Sequence, residues 1–314
     1  MTADTLVGID VGGTKTHILI ETADGHRLSD RVFATANWRG ASDVAKARQI
    51  RSWISELLPN TDPAAVAVGA HGCDSDEESE SLRQQLLPLV DTPTLVVNDS
   101  QLLAAAAGKP GSIELVAGTG SIAVGRNDDG RSVYAGGWGW LLGDEGGAAG
   151  LVRGAVQRLT RAQDDGQPRD PLEHTLLTAS GANDLRSLSM LMMSGTEFTT
   201  WAPLLFDAAD EGSTAAIASI QNGAGELARL VRVLFERGVQ AQAVVAAGSV
   251  IVNQSRLSDA LRDALTHTLD LELIVLDSLP VHGAINLARL LHDSTAPSPS
   301  IGQLFSARAN QRKE

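Results

Sequence analysis

Hydrophobic residues at the start of the chain occur in short runs that predict strands. Residues 5–10 and 16–22 are strand-like, and the glycine-rich segment VGGTK lies between them. Asp24 and Gly25 form a turn signal that leads into a third predicted strand near residues 28–34. We therefore expect the chain to begin with three strands joined by tight turns.

The pattern becomes helical at Ser42, and helices and strands then alternate. Ile50, Trp53 and Ile54 fall on one helical face, and Ser42 is the predicted N-cap. Continuous apolar runs predict buried strands at 64–70 and 94–98, and an acidic helix is predicted around 76–90. This order of elements is typical of an α/β protein.

The second half of the chain is richer in predicted helix. Helices are predicted between about 147 and 237, and buried strands over 243–249 and 271–277. A last helix is predicted near 281–292. The Pro- and Ser-rich tail after residue 294 is expected to be loosely held.

An internal echo links the two halves. Gly13-Thr14-x-Thr16 and Gly118-Thr119-x-Ser121 are 105 residues apart, and the turn signals Asp24-Gly25 and Asp129-Gly130 have the same spacing. Several matches in one register predict two domains built on the same hairpin core.

Composition narrows the functional classes. The chain has 314 residues, which suits two domains, and its formal net charge is −13. That charge argues against nucleic-acid partners and anionic membrane surfaces. A single cysteine, Cys73, provides for no disulfide, cysteine zinc site or iron–sulfur cluster. We find no leader-like segment and no apolar stretch of about 18 residues, so a cytoplasmic location is expected.

The two Gly-Thr segments carry the first functional prediction. Glycines let the backbone approach a phosphate closely, and successive N–H groups can cradle it. We expect the two loops to face one cleft and bind one polyphosphate. Asp10, at the end of the preceding strand, is a carboxylate that can hold Mg²⁺ through water. The alternative for each loop is an ordinary hairpin turn.

Asp99 follows a buried strand and precedes a helix. Ligands of open α/β sheets gather outside the carboxyl ends of the strands, where a carboxylate can accept a proton from an attacking hydroxyl. The alternative is that Asp99 caps the helix over 100–107.

Trp138, Asp144 and Glu145 lie in a Gly-rich loop over 136–147 and are residue types that a sugar site uses.

The segments DVGGTKT, NDS, GTGS, GGWG, GDEGG and AAGS occur in this order. Together they resemble the N-acetylglucosamine kinase branch of the BadF/BadG/BcrA/BcrD ATPase family, within the sugar kinase, actin and heat-shock ATPase superfamily. The resemblance covers roughly residues 5–292. It implies an α/β fold with two ribonuclease-H-like (actin-like ATPase) domains and an interdomain cleft. The predicted domains are 1–113, joined by the helix 281–294, and 114–280, followed by a flexible tail over 295–314.

The resemblance also implies the site residues, with ATP and Mg²⁺ as cofactors. Asp99 would deprotonate the sugar 6-hydroxyl, and Asp10 would organise the metal. The residues expected to hold the nucleotide are Gly12, Gly13, Thr14, Lys15, Thr16, Gly118, Thr119, Gly120, Ser121, Gly248 and Ser249. The residues expected to contact the sugar are Asn37, Trp38, His71, Gly72, Asn98, Asp99, Gly137, Trp138, Asp144 and Glu145.

Several alternatives stay open within this reading. Many relatives have Gly-Leu-Ser-Gly where this chain has Gly69-Ala-His71-Gly, which leaves both N-acetylglucosamine and glucosamine as acceptors. An N-acetylmuramic acid kinase, a reductase-activating ATPase and a sugar-responsive regulator rank lower. A reductase-activating ATPase needs bridging cysteines for its iron–sulfur cluster, and this chain has only Cys73. A sugar-responsive regulator needs a DNA-binding segment, and only about five residues precede the first predicted strand. Phosphate-donor preference and the choice between monomer and homodimer are left open.

Overall fold

The computed structural model describes residues 4–294 apart from 36, 37, 39, 60, 110 and 196, and it leaves out the side chain of Thr268. Asn37 and the tail predicted over 295–314 lie outside the described residues. The chain divides into two compact units. The first comprises residues 1–114, 126–132 and 276–314, and the second comprises 115–125 and 133–275. The domain boundaries proposed from the sequence stay a prediction.

Each unit is built on a five-stranded sheet. The strands are β1 Thr5–Val11, β2 Lys15–Thr22, β3 Arg27–Ala34, β4 Ala65–Ala70, β5 Thr94–Val97, β6 Ile113–Ala117, β7 Ser121–Arg126, β8 Ser132–Gly136, β9 Ala243–Ala247 and β10 Glu272–Val275. The first sheet has the order β3-β2-β1-β4-β5, and the second has β8-β7-β6-β9-β10. The two orders are the same when β1 is matched to β6, so the sequence echo corresponds to a repeated sheet topology. The predicted α/β class is confirmed.

Helices and two short 3₁₀ segments connect the strands. They are α1 Asp43–Leu57, α2 Asp76–Val90, α3 Leu102–Ala106, α4 Ala148–Asp164, α5 Pro171–Ser180, α6 Leu185–Met193, α7 Ala202–Asp210, α8 Thr214–Glu236, α9 Ser249–Asn253, α10 Ser255–Leu269 and α11 Val281–His292, with 3₁₀ turns at Asp99–Gln101 and Phe198–Trp201. None of the helices in the described part of the chain is long and apolar enough to cross a membrane.

The hydrophobic alternation of β1 explains how the first sheet is covered. Val7 and Ile9 belong to the core cluster under α1 and α2, whereas Leu6 belongs to the cluster under α3 and α11. Gly8 lies on the second face, and a Cβ there would come within 2.4 Å of the backbone of Ile285 in α11. Because side chains alternate along a strand, Asp10 lies on the same face as Leu6 and Gly8.

The ends of the strands fix where loops emerge in the first unit. β1 and β2 pair antiparallel, and β1, β4 and β5 run parallel to one another. The carboxyl ends of β1, β4 and β5 therefore lie at one edge of the sheet. The segments that follow them begin with Gly12, His71 and Asn98, so sequence positions far apart meet at this edge.

Candidate functional site

The first Gly-Thr loop is an exposed turn between β1 and β2. Gly12 N–H donates to the Lys15 carbonyl at 3.0 Å, which closes the turn, and Gly13, Thr14 and Lys15 are exposed. The backbone of Gly13 has room around it, since the nearest atom to an added Cβ is Nε2 of His71 at 3.7 Å. The backbone at the tip of this turn is accessible to a ligand.

Asp10 lies just inside this turn in an environment that disfavours its charge. Burial, followed by the nearby Asp99 carboxylate, raises the pKa of Asp10 to about 7, and Lys15 opposes the shift. A cation beside Asp10 would favour its ionised form. Within the described residues, no group of three or more His, Cys, Asp or Glu is placed to hold a metal. A Mg²⁺ ion needs only one or two carboxylates when phosphates and water supply its other ligands, so the single carboxylate fits that kind of site.

Asn98 is a scaffold for Asp99. It is 2% exposed, and its side-chain oxygen accepts from Ser100 N–H at 3.0 Å and from Ser100 Oγ at 2.5 Å. Its amide donates to the Cys73 carbonyl and to Asp74 Oδ1, each at 3.0 Å. Since these polar atoms are bonded inside the protein, the position favours a structural role for Asn98 in place of the expected sugar contact.

The structure resolves the alternative that the sequence left open for Asp99. Asn98, not Asp99, is the N-cap of the 3₁₀ turn, and its backbone N–H donates in return to the side-chain oxygen of Gln101 at 3.2 Å. Asp99 Oδ1 accepts from Ser100 N–H at 3.1 Å, while Oδ2 lies 3.4 Å from Nδ1 of His71. The Asp99 side chain is 29% exposed, so its carboxylate can meet a ligand.

His71 connects the first loop to Asp99. It follows β4 directly, and its side chain is 28% exposed. Nδ1 faces the Asp99 carboxylate, and Nε2 faces Gly13 across ordinary contact distance. Gly72 comes next, with φ of +76°, and an added Cβ there would meet nothing within 4 Å. The expected sugar-lining positions 71 and 72 therefore lie at the edge that carries Asp99.

Trp38 is placed differently from a sugar-stacking residue. Its ring is 5% exposed and stacks on Trp53 at a centroid distance of 6.3 Å. The indole N–H donates to the His71 carbonyl at 2.8 Å, and Lys46 Nζ lies 5.6 Å from the ring centroid. The ring is therefore part of the core and supports His71 from behind, because its faces are already covered.

The second Gly-Thr loop occupies the equivalent place between β6 and β7 but is held by more neighbours. Gly118 and Thr119 carbonyls accept from the N–H groups of Ala148 and Ala149 at 2.8 and 3.1 Å. The first turn of α4 is thereby satisfied by the loop itself. Thr119 is exposed, so the loop presents its middle to solvent.

Asp144 packs on this second loop. Its carboxylate accepts from Ser121 N–H at 3.1 Å, and a Cβ at Gly120 would lie 2.7 Å from Oδ2 of Asp144. Burial raises the pKa of Asp144, while the Ser121 bond opposes the shift. The expected sugar contact of Asp144 stays a prediction, and the structure adds a contact to the loop that was expected to bind phosphate.

The Gly/Trp loop over 136–147 combines buried glycines with exposed aromatic residues. Trp138 is 74% exposed, and Gly137 has φ of +74°. Glu145 accepts from Arg153 at 3.0 Å, and Arg153 also donates to the Gly143 carbonyl at 2.9 Å. The contacts of Arg153 with this loop were not predicted from the sequence, because nothing in a helical segment distinguishes this arginine from others.

Two residues after β9 complete the predicted nucleotide set. Gly248 has φ of +113°, and an added Cβ would lie 2.6 Å from the backbone of Ala117. Ser249 is exposed, and its hydroxyl oxygen is 3.7 Å from a Cβ placed at Gly118. These residues lie beside the second loop in the same unit.

Two predicted cofactor contacts have buried hydroxyls. Thr16 is fully buried, and its Oγ1 is 2.7 Å from that of Thr35. Ser121 is 4% exposed, and its hydroxyl donates to the Glu145 carbonyl at 2.8 Å. Both hydroxyls face into the protein, where a buried polar group needs a hydrogen-bond partner. Their expected contact with phosphate is better assigned to the exposed residues of each loop.

Comparisons with known proteins agree with the sequence reading. Residues 7–269 match the sequence profile of the BadF/BadG/BcrA/BcrD ATPase family. The chain is 28% identical over 299 residues to the N-acetylmuramic acid/N-acetylglucosamine kinase of Clostridium acetobutylicum, covering 90% of this chain and 98% of that protein. It is 24% identical over 243 residues to the glucosamine kinase GspK of Vibrio cholerae, covering 74% and 81%.

A solved structure gives the same result for the fold. A Chromobacterium violaceum protein assigned as an N-acetylglucosamine kinase superposes with a TM-score of 0.66 and 25% identity, covering 93% of this chain and 100% of that one. The predicted family resemblance and the two-domain actin-like ATPase fold are confirmed.

Proposed function

This chain belongs to the BadF/BadG/BcrA/BcrD ATPase family, and we propose that it is an ATP-dependent kinase acting on the 6-hydroxyl of N-acetylglucosamine. The two relatives and the solved structure described above carry the names of amino-sugar kinases. The products are ADP and the sugar 6-phosphate. We place the enzyme in the cytoplasm, where ATP is available.

The observation that carries the proposal is the presentation of Asp99. Its carboxylate stands partly exposed at the carboxyl edge of the first sheet, fixed by Asn98 and Ser100 and next to the first Gly-Thr loop through His71. In the proposed reaction, the sugar hydroxyl gives its proton to Asp99 while its oxygen forms a bond to the γ-phosphorus of ATP. The bond between that phosphorus and the β–γ bridging oxygen breaks. Phosphoryl transfer of this kind depends mainly on positioning and charge stabilisation.

The Gly-Thr loops supply the expected nucleotide contacts. Gly13 and Thr14 are exposed at the tip of the first turn, and Thr119 is exposed in the second. Exposed backbone N–H groups at glycine turns bind phosphate oxygens without needing lysines. This suits an acidic protein that nevertheless binds a polyanion.

Mg²⁺ would be held at Asp10, whose environment favours a neighbouring cation. When bound, the ion supplies charge neutralisation for the phosphates. Asp10 itself offers one carboxylate, and the raised pKa of about 7 means that a cation nearby would help to keep it ionised at neutral pH.

N-acetylglucosamine is the first candidate acceptor. The match to the N-acetylmuramic acid/N-acetylglucosamine kinase covers more of the chain than the match to the glucosamine kinase. Asp74, an exposed carboxylate bonded by Asn98, favours glucosamine as the second candidate, since a carboxylate can pair with an ammonium group.

A sugar panel separates these acceptors. ADP release is measured with N-acetylglucosamine, glucosamine, N-acetylmuramic acid and glucose. We expect the highest kcat/KM with N-acetylglucosamine, and a value at least about tenfold lower with glucose, because polar groups built for the 2-substituent would lose their partner. Highest activity with glucosamine would select the second candidate. Equal values for glucose, or no ADP release with any sugar, would remove the amino-sugar kinase assignment.

The Asp99→Asn variant tests the proton acceptor. We expect kcat to fall by about 10²–10⁴ with ATP affinity and melting temperature unchanged, since general-base catalysis contributes on that order. The control is Asp91→Asn, the same change at the left-handed C-cap of α2, where φ is 46°. Turnover of Asp99→Asn close to that of the control would exclude Asp99 as the base.

A further inference from the structure

The backbone of His71 is held on both sides. Its N–H donates to the Val11 carbonyl at 2.8 Å, which extends the pairing of β4 with β1, and its carbonyl accepts from Trp38 Nε1 at 2.8 Å. Trp38 is itself buried in the core. The fold therefore fixes the Cα of His71, and the ring projects from a rigid support.

The imidazole faces the Asp99 carboxylate. Nδ1 of His71 is 3.4 Å from Oδ2 of Asp99, and the two side chains are 28% and 29% exposed. This contact is attractive when Nδ1 carries a hydrogen, because a protonated ring nitrogen donates to a carboxylate oxygen. Because both groups are partly shielded from water, the contact is stronger than a pair on the open surface.

Asp99 needs a second contact to have a defined orientation. Ser100 N–H binds Oδ1 at 3.1 Å, but rotation about the last side-chain bond of an aspartate has a broad energy minimum. The nearby Asp10 carboxylate repels Asp99 rather than orienting it. His71 is the neighbour that provides an attractive contact to the other oxygen.

We propose that His71 is a positioning residue for Asp99: its Nδ1–H holds the carboxylate plane in the orientation that receives the proton of the acceptor hydroxyl. This inference rests on the proposed kinase function. Such a residue acts on the chemical step through Asp99, so its loss lowers kcat more than it changes KM.

The test compares three substitutions at position 71. His71→Asn keeps an N–H on the same side-chain atom position as Nδ1, His71→Leu fills similar space without a donor, and His71→Gln moves the amide one bond too far. We expect kcat of the Leu and Gln variants to fall about tenfold, with both KM values within about twofold, and kcat of the Asn variant to recover to within about threefold of wild type. Gln keeps the test valid if Leu fails to fold.

A second histidine provides a matched control. His292 is 26% exposed and lies 3.2 Å from a carboxylate oxygen of Asp4. The same substitutions at His292 should leave kcat and KM unchanged. A double-mutant cycle adds a stricter criterion. In the Asp99→Asn background, the residual kcat should be the same with His or Leu at position 71, because His71 acts only through the carboxylate.

The outcomes separate this inference from the proposed function. An active wild type with unchanged kcat in the Leu and Gln variants overturns the role of His71 and leaves the kinase assignment standing. A rise in sugar KM with constant kcat, or a further loss of kcat in the Asp99→Asn background, also overturns it, since His71 would then act on the substrate directly. A wild type that releases no ADP with any sugar overturns both.

Discussion

The two Gly-Thr turns share a sequence pattern and a place in their sheets, but their surroundings differ. In the first, Gly13 is exposed and an added Cβ would meet only the far end of His71 at 3.7 Å. In the second, Gly120 lies against the Asp144 carboxylate, and a Cβ at Gly147 would be 2.6 Å from the backbone of Gly120. The same hairpin thus supports an open turn in one unit and a turn covered by another loop in the other. A repeated motif fixes backbone topology, whereas the residues packed on it decide which of its atoms a ligand can reach.

The largest expected change in stability is at Gly147. Gly147→Ala forces a methyl group into the backbone of Gly120. Neither segment can move without breaking the hydrogen bonds between the second loop and the first turn of α4. We expect the free energy of unfolding to fall by about 3 kcal/mol, at the upper end for overpacking. Denaturant titration measures it.

The control for this change is Gly225→Ala in α8, where an added Cβ has nothing within 4 Å. That substitution should stabilise the protein by about 0.5–1 kcal/mol, as alanine does in a helix interior. Equal stabilities of the two variants would show that the second loop is not tightly packed, and the contrast between the turns would disappear.

The strands β1 and β6 occupy matched positions in the two sheets, and each carries one carboxylate with a raised pKa. Asp10, two residues before Gly12, has a pKa raised to about 7 by burial and by Asp99. Glu114, four residues before Gly118, has a pKa raised to about 8 by burial, with Arg126 opposing the shift. Glu114 is buried and Asp10 is half-buried, and only Asp10 is next to its loop.

Asp10→Asn should therefore lower kcat/KM on the order of 100-fold and raise the Mg²⁺ concentration needed for half-maximal rate, since the charge that favours the ion is lost. Glu114→Gln should leave kcat/KM within about twofold, because its side chain lies in the protein interior away from the turn. Steady-state kinetics at several Mg²⁺ concentrations distinguishes them. A comparable loss in both variants would mean that the two carboxylates act through folding and not through the metal.

Glu114 should instead control how stability depends on pH. Its pKa in the folded protein, about 8, is above the ordinary value of 4.5. Between these values the folded state keeps a proton that the unfolded chain releases. The free energy of unfolding therefore falls as pH rises through this window, by up to about 1.4 kcal/mol per pH unit for one proton, and levels off above pH 8.

In Glu114→Gln this contribution is absent, so the variant should gain stability relative to wild type from pH 5 to 8. Asp10 titrates in both proteins and cancels in the difference. Chemical unfolding at a series of pH values measures it, and parallel curves for the two proteins would contradict the raised pKa.

Much of the fold was predictable because local signals agreed with one another. Ser42 begins α1 as an N-cap, the helix over 76–90 has those bounds, and the echo of 105 residues corresponds to two sheets of equal strand order. These features depend on periodicity and short-range hydrogen bonds, which a sequence displays directly.

The direction of individual side chains was harder to predict. Trp38 was among the residues expected to contact the sugar, yet its ring is in the core because Trp53 and Lys46 cover it. Asn98 and Asp99 are adjacent and both polar, but the cap falls on Asn98 and leaves Asp99 at the edge. The His71–Asp99 contact joins residues 28 positions apart, and only the alignment of parallel strand ends brings them together.

The smallest expected effect concerns the hydroxyls of Thr16 and Ser121, which occupy matched positions in the two turns. Thr16 is bonded to Thr35 and Ser121 to the Glu145 carbonyl, each inside the protein. Thr16→Val and Ser121→Ala should each cost about 1 kcal/mol of stability, the net value of one buried hydrogen bond. The KM for ATP should stay within about twofold, because neither hydroxyl faces the exposed side of its loop.

A tenfold rise in that KM without a loss of stability would place the hydroxyl on a phosphate and reverse the assignment. Ser121 also donates its backbone N–H to Asp144 at 3.1 Å, and alanine keeps that bond. Ser121→Ala leaves the Glu145 carbonyl without its donor at 2.8 Å, and Thr16→Val leaves the Thr35 hydroxyl without its partner at 2.7 Å. If the hydroxyls are structural, both substitutions should therefore cost stability, since each leaves a partly buried polar group unpaired.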